Sequence, residues 1–205
     1  MRFRFLLLTF FSFYLLTGCN KKPTPPVLPP VTYLPLNPGN WWEYVYYDTV
    51  SQDSIFLREE IGDTITLFGF NGYSYKSDFL PYDFIHIKSD TVILSDTSSY
   101  NQRRILFLNK AGAKGDWDLY SVLTPYDKYE VRAHQDERSF EVELENGQEY
   151  DDCIKVLTKA HFQSGDTEEM GYYFFASDVG MVKFIMRPVL DHPLIPFELY
   201  KYNVK

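Results

Sequence analysis

The chain holds only two cysteines, Cys19 and Cys153. If the first is modified, the second has no partner, and the core must hold without a disulfide. No apolar run reaches the roughly 20 residues that a membrane-spanning helix needs. Cations are in deficit: 20 Lys and Arg face 28 Asp and Glu, a formal charge of -8. That balance argues against nucleic acid and against adsorption to anionic lipid. Alanine is scarce and no long segment repeats every 3.6 residues, which excludes a helical bundle. The chain also lacks HExxH, CxxC, an EF-hand loop, a P-loop and the G-x-S-x-G elbow. His86, His134, His161 and His192 are not spaced to share a helix turn or alternate along one strand. Asp151 and Asp152 are adjacent, so on a strand they face opposite ways and cannot act as an acid/base pair. The expectation is a protein that is not an enzyme and takes no metal or cofactor.

What is present begins at the N-terminus. Arg2 and Arg4 precede the apolar run 5–16, and Leu16-Thr17-Gly18-Cys19 follows it. Length and flanks fit a cleaved signal better than a span. The tetrapeptide resembles the lipobox of bacterial lipoproteins. That resemblance implies a signal peptide over 1–18 and acyl chains on Cys19, which would anchor the mature chain to a membrane. No Asp follows Cys19. In such lipoproteins this points to the outer membrane and its periplasmic face, with surface display as the other orientation. Loss of Arg2 and Arg4 with the leader takes the formal charge from -8 to about -10.

Seven of the twelve prolines lie within 23–38. Proline fixes φ and removes a donor, so residues 19–38 read as the lipidated Cys and an extended tether. Residues 39–205 are the right length for one domain.

That domain reads as all-β. Apolar and polar residues alternate over 129–134, and Phe140, Val142 and Leu144 alternate with glutamates. Asn71-Gly72 and Asn146-Gly147 suit tight hairpins. Ile61-Gly62-Asp63, Ser89-Asp90 and Ser164-Gly165-Asp166 are further turn signals. The 17 Tyr and 17 Phe favour sheet. A single antiparallel sheet of roughly eight to twelve strands is expected, curled into a half-barrel or open barrel. One short helix fits near 117–123. Charged residues in mid-strand argue against a membrane-spanning barrel. Cys153, in an apolar stretch, reads as a small buried hydrophobe.

Three stretches resemble a family of uncharacterised bacterial lipoproteins. Leu34-Pro35-Leu36-Asn37-Pro38-Gly39-Asn40-Trp41-Trp42-Glu43-Tyr44 is similar to its opening PLxxGNxWxY motif. Tyr150-Asp151-Asp152-Cys153-Ile154-Lys155-Val156 is similar to one of its strands. The run from Tyr172 to Lys183 resembles its YYxxAxxVGxVK hairpin. The family's sheet-rich design is loosely similar to lipoprotein carriers that hold acyl chains in a half-barrel. It implies no activity.

Two roles fit. One is an envelope protein, tethered to the membrane, whose β-domain binds an apolar ligand or a protein partner. The other is glycan or peptidoglycan binding through exposed aromatics. Trp41, Trp42, Tyr44, Tyr46 and Trp117 are the candidate ligand-binding residues, because large rings can stack on either an apolar ligand or a sugar.

Overall fold

The computed structural model describes residues 32–48, 51–97, 99–109, 112–123, 128–187 and 193–205. Cys19, the leader, the tether up to residue 31, and His192 lie outside them. The described residues form thirteen strands and no helix. They are β1 (Trp41–Tyr47), β2 (Ser54–Leu67), β3 (Phe70–Ser77), β4 (Phe84–Lys88), β5 (Thr91–Asp96), β6 (Ser99–Leu108), β7 (Gly115–Leu123), β8 (Lys128–Gln135), β9 (Phe140–Glu143), β10 (Glu149–Phe162), β11 (Thr167–Ala176), β12 (Gly180–Met186) and β13 (Ile195–Asn203). The region considered for a short helix is strand β7. Trp117 pairs there with Ala133 and Asp118 with Arg132, and after a bulge Tyr120 pairs with Val131 and Ser121 with Glu130, so side chains alternate between the two faces on either side of it.

All pairing is antiparallel, in the order β6-β5-β4-β3-β2-β1-β13-β12-β11-β10-β8-β7, with β9 on β10. The first and last strands therefore pair. The sheet is nearly closed into a barrel, and its one unsealed seam falls in mid-chain, between β6 and β7. Register shifts interrupt the ladders, as between Glu43 and Tyr44 and between Phe174 and Phe175. Such bulges add the twist and bend that closure needs.

Pairing sorts the side chains into two faces. Gln135, Val156, Tyr173, Phe184 and Phe197 form one row across five strands, and they point inward. Lys155, Phe174, Lys183, Glu198, Val45 and Phe56 form a row on the outer face. The hairpin of β9 and early β10 lies over part of that outer row. Phe140 packs edge-on to Phe174, and the Glu145 N–H donates to Glu198 Oε2 at 2.6 Å. Val142 and Leu144 are buried beneath it.

The interior is filled from two directions. The 78–83 connection between β3 and β4 turns inward as a plug. Phe79 stacks on Phe184 at 4.8 Å, and Phe184 stacks on Phe197 at 4.9 Å. The edge of Tyr44 closes this aromatic column. Both ends of the plug are pinned. The Arg58 N–H donates to Asp78 Oδ2 at 2.8 Å, and the Thr97 N–H to Asp83 Oδ1 at 2.7 Å. The incoming segment 32–40 supplies Tyr33 and Leu34, both buried. The prolines suggested that this segment was all spacer. From Thr32 onward it instead packs on the barrel, with Thr32 and Asp178 bonded in both directions. Asn40 is fully buried: its Nδ2 donates to Pro35 O at 2.8 Å, and its Oδ1 accepts from Lys205 N at 3.0 Å.

The turn signals divide. Gly147, Gly165 and Gly180 have φ of 81°, 94° and 110°, as turn positions require. Asn71-Gly72 does not turn. Those residues pair with Thr66 and Ile65, and the hairpin turns at Phe68-Gly69. Gly72 is needed for close approach, since a Cβ there would meet Phe84. Ile61-Gly62-Asp63 is a bulge inside β2.

Gly171 is the tightest position. Its φ is 145°, and a Cβ would run into the Ile185 backbone. Its carbonyl also accepts from Thr158 Oγ1 at 3.0 Å in a buried site. Gly171→Ala is expected to cost about 3 kcal/mol or more, because the clash is with backbone. Chemical denaturation checks this. A loss under about 1 kcal/mol would show that the β11–β12 pair can shift.

Candidate functional site

The five candidate aromatics do not converge. Trp42 and Tyr44 point inward and are 0% exposed. The Trp42 indole N–H donates to Val179 O at 2.6 Å, and its ring packs against Gly180. Trp41 is outside, but Arg58 covers one face at 4.4 Å. Tyr46 leans on Phe197, with rings 51° apart. Trp117 stands at the seam and donates to Ile105 O at 2.9 Å. Trp42 and Tyr44 are core residues with no face free for a ligand. Part of the aromatic excess fills the barrel.

The interior carries polar groups that the composition did not reveal. Glu59 is 5% exposed and accepts from two tyrosine hydroxyls, Tyr44 at 2.9 Å and Tyr75 at a shorter distance. Burial pushes its carboxyl up to about 7, while the two hydroxyls pull the other way. Burial, then the Glu59 charge, holds both tyrosines well above their ordinary value. The cavity beside this cluster, between Leu34, Trp42, Leu80 and Phe175, is about 10 Å³. A second, lined by Arg104, Leu119, Val156 and Tyr173, is about 20 Å³. One water needs about that much room, so neither holds an acyl chain.

Cys153 is fully buried, and its thiol is pushed up to about 12, by burial first and then by Asp151 and Asp152. A thiol so placed is not a nucleophile. His86 is buried between the rings of Phe70 and Phe84, at 4.9 and 5.2 Å.

Among the described residues, larger openings lie on the outside. A groove of about 480 Å³ runs between the 145–146 turn and the ends of β1 and β13, lined by Val45, Tyr46, Tyr47, Glu145, Asn146, Glu198 and Tyr200. Beside it lies an uncovered aromatic face. Tyr47 is 51% exposed, Phe56 50% and Tyr200 45%. Phe56 and Tyr200 touch at 5.5 Å with planes 57° apart, so they make a ridged surface and not a flat shelf. The sequence pattern does contain this face: Val45, Tyr47 and Phe56 are apolar at the polar phase of their strands.

No known protein family matches the chain, and no curated protein matches it. The three motifs therefore rest on the structural roles described above. Two solved structures align with it. One is a proposed lipoprotein from Parabacteroides distasonis, 12% identical, with a TM-score of 0.41 over 86% of this chain and 100% of that one. The other is a proposed exported protein with a YmcC-like fold from Bacteroides fragilis, 11% identical, with a TM-score of 0.40 over 84% and 99%. Likenesses this distant do not assign a role.

The Glu59 cluster predicts a pH dependence. Folded, the carboxyl titrates near 7; unfolded, near its ordinary 4.5. Between those values the folded state binds the extra proton. Stability from this group is therefore greatest below about 4.5, falls as pH rises to about 7 and is flat above, a change of roughly 3 kcal/mol. Glu59→Gln should remove that slope and be more stable than the parent at pH 8, by roughly 2–3 kcal/mol, with little difference at pH 4.5. Urea unfolding at the two pH values tests this. A slope that persists in the variant would assign the dependence to another group.

Proposed function

We propose that this chain is a non-catalytic envelope lipoprotein, acylated at Cys19 and held at the outer membrane on its periplasmic face, that works by binding a protein partner through its outer surface. The observation that carries the reading is the exposed aromatic face of Tyr47, Phe56 and Tyr200. It sits beside a groove of about 480 Å³, whereas the interior cavities among the described residues are about 10 and 20 Å³, which favours contact on the outside. Clustered exposed aromatics of this kind often mark a contact site.

Charges of both signs border the face: Glu145 rims the groove, Glu198 is ion-paired with Lys183, and Lys201 lies 4.4 Å over the Tyr200 ring. Such a mixed border around exposed rings suits a protein ridge that carries both apolar and charged side chains. The tilted rings favour such a ridge over a sugar, which needs a ring face lying open. A catalytic role finds no support in the groups best placed for one. Glu59 is enclosed by tyrosines, and Cys153 is held as a thiol.

The anchor is tested by Cys19→Ala. The variant should leave the membrane pellet for the soluble fraction of cells. Unchanged pelleting would sink the lipoprotein reading.

The contact face is tested by a photo-crosslinking residue at position 47, 56 or 200, with exposed Thr66 as control. One adduct of fixed mass is expected at the three sites and none at the control, with loss of the adduct on Phe56→Glu. Native mass spectrometry of the purified protein should show no stoichiometric lipid. Adducts at every position, or a bound lipid, would overturn this reading, the second in favour of an apolar ligand.

A further inference from the structure

The seam between β6 and β7 has its own chemistry. These strands follow each other in sequence, yet they are the two ends of the pairing order. In a closed up-and-down barrel they would be hydrogen-bonded neighbours. Here side chains stand where that ladder would run. Gln135 reaches across from β8. Its Oε1 accepts from Leu108 N at 2.8 Å, and its Nε2 donates to Leu108 O at 3.0 Å. A carboxamide offers the same donor and acceptor as a peptide group, so Gln135 imitates one rung of a missing strand. Gly115, opposite Gln135 in the register, has no side chain to obstruct that reach. One step along, the Trp117 indole N–H takes the Ile105 carbonyl.

We propose that this seam accepts an extended segment of a partner polypeptide, added as a β-strand, with an acidic side chain placed at Arg104. Two further observations support this. First, Arg104 lies opposite inward-facing Leu94, beneath the seam. Its guanidinium sits 4.6 Å from the Tyr120 ring and 5.3 Å from the Tyr82 ring, and its buried Nε has no hydrogen-bond partner. A buried charged donor calls for an acceptor, and a carboxylate answers both charge and hydrogen bond. Second, the chain's own tether is a poor occupant. Pro23, Pro25, Pro26, Pro29 and Pro30 lack the N–H groups that a strand must offer. Strand addition to a free edge is an established mode of peptide recognition. This site is separate from the aromatic face, and each stands without the other.

The test uses the full lipoprotein in detergent and a fluorescent peptide with the sequence of β7, residues Gly115–Leu123, which carries Asp116 and Asp118. Anisotropy should show saturable binding. A peptide bearing Leu119→Pro and Ser121→Pro should bind at least about tenfold more weakly, because it loses ladder donors. In the protein, Trp117→Ala should tighten binding by removing the competing ring. Arg104→Gln should weaken it about tenfold, and Phe56→Ala should leave it unchanged. Each variant is first checked for the parent's sheet signal. If Trp117→Ala fails to fold, hydrogen exchange of the parent replaces it, and peptide should slow exchange in 104–109. The proposal fails if the proline peptide binds equally well. It also fails if neither parent nor Trp117→Ala binds peptide, if peptide leaves exchange in 104–109 unchanged, or if light scattering shows a dimer whose formation Arg104→Gln abolishes, which would assign the seam to a second copy.

Discussion

The pairing of β1 with β13 is the constraint on which the rest depends. A sheet that curls must give every interior backbone group a partner, and its two edges are where partners run out. By joining the first strand to the last, this chain settles the edge problem at its termini. Asn40 and Lys205 reinforce that join through the Asn40 carboxamide, and the Asn37 Nδ2 donates to Lys205 O at 2.8 Å. The remaining edge is then displaced to mid-chain. A meander that closes at its termini has no topological need for a seam between β6 and β7. That a glutamine and an indole stand there makes the opening a feature of the sequence, not a shortfall of strands.

The same closure explains why the interior is crowded. A barrel of about twelve strands encloses more space than its own inward side chains fill. The plug 78–83 and the segment 32–40 supply the difference. Phe79 and Leu34 each bring apolar volume from outside the sheet. The polar members of the core follow from this arrangement. Glu59 tolerates burial because Tyr44 from β1 and Tyr75 from β3 both reach it, tying three adjacent strands by side chains as well as by ladder bonds. A network satisfied on that pattern specifies one register, since a slip of one residue would carry Glu59 to the outer face.

Much of the sheet was legible. Period-2 alternation located β8 and β9, and the glycines at 147, 165 and 180 marked real turns, because both signals are local. The misreadings have a common physical cause: a local signal overruled by distant packing. Asn71-Gly72 has turn chemistry, but both residues are held in a strand by pairing with Thr66 and Ile65 of β2. The tether's prolines hid Tyr33 and Leu34, whose burial depends on strands more than 70 residues away, such as the Asn109 side chain that takes the Tyr33 N–H at 2.7 Å. The aromatic motif was visible, but its direction was not. Which face a tryptophan takes is set by register, and register is set by partners. Glu59 and Gln135 did leave a trace, as polar residues at the apolar phase of Leu57-x-Glu59-x-Ile61 and Val131-x-Ala133-x-Gln135. Alternation gives the anomaly but not its partner, which lies on another strand.

The two outward features differ in how they are held, and this bears on what each can bind. The aromatic face is backed by the β1–β2 ladder and by a β1–β13 ladder that bulges at Tyr200, so its strands are paired before any partner arrives. It suits a preformed protein ridge, for which shape is matched without reorganisation. The seam is the reverse. Its donors and acceptors are occupied by side chains that can swing aside, and the strands behind them remain paired to β5 and β8 when they do. Opening the seam moves Gln135 and Trp117 and breaks no rung of the β5–β6 or β7–β8 ladders. An edge guarded in this way is protected from indiscriminate pairing while unfilled, as natural sheets require. It still offers the Leu108 N–H and carbonyl and the Ile105 carbonyl to a strand that can also neutralise Arg104. Closure at the termini is what allows that, because a barrel whose seam lay between its first and last strands would fray there.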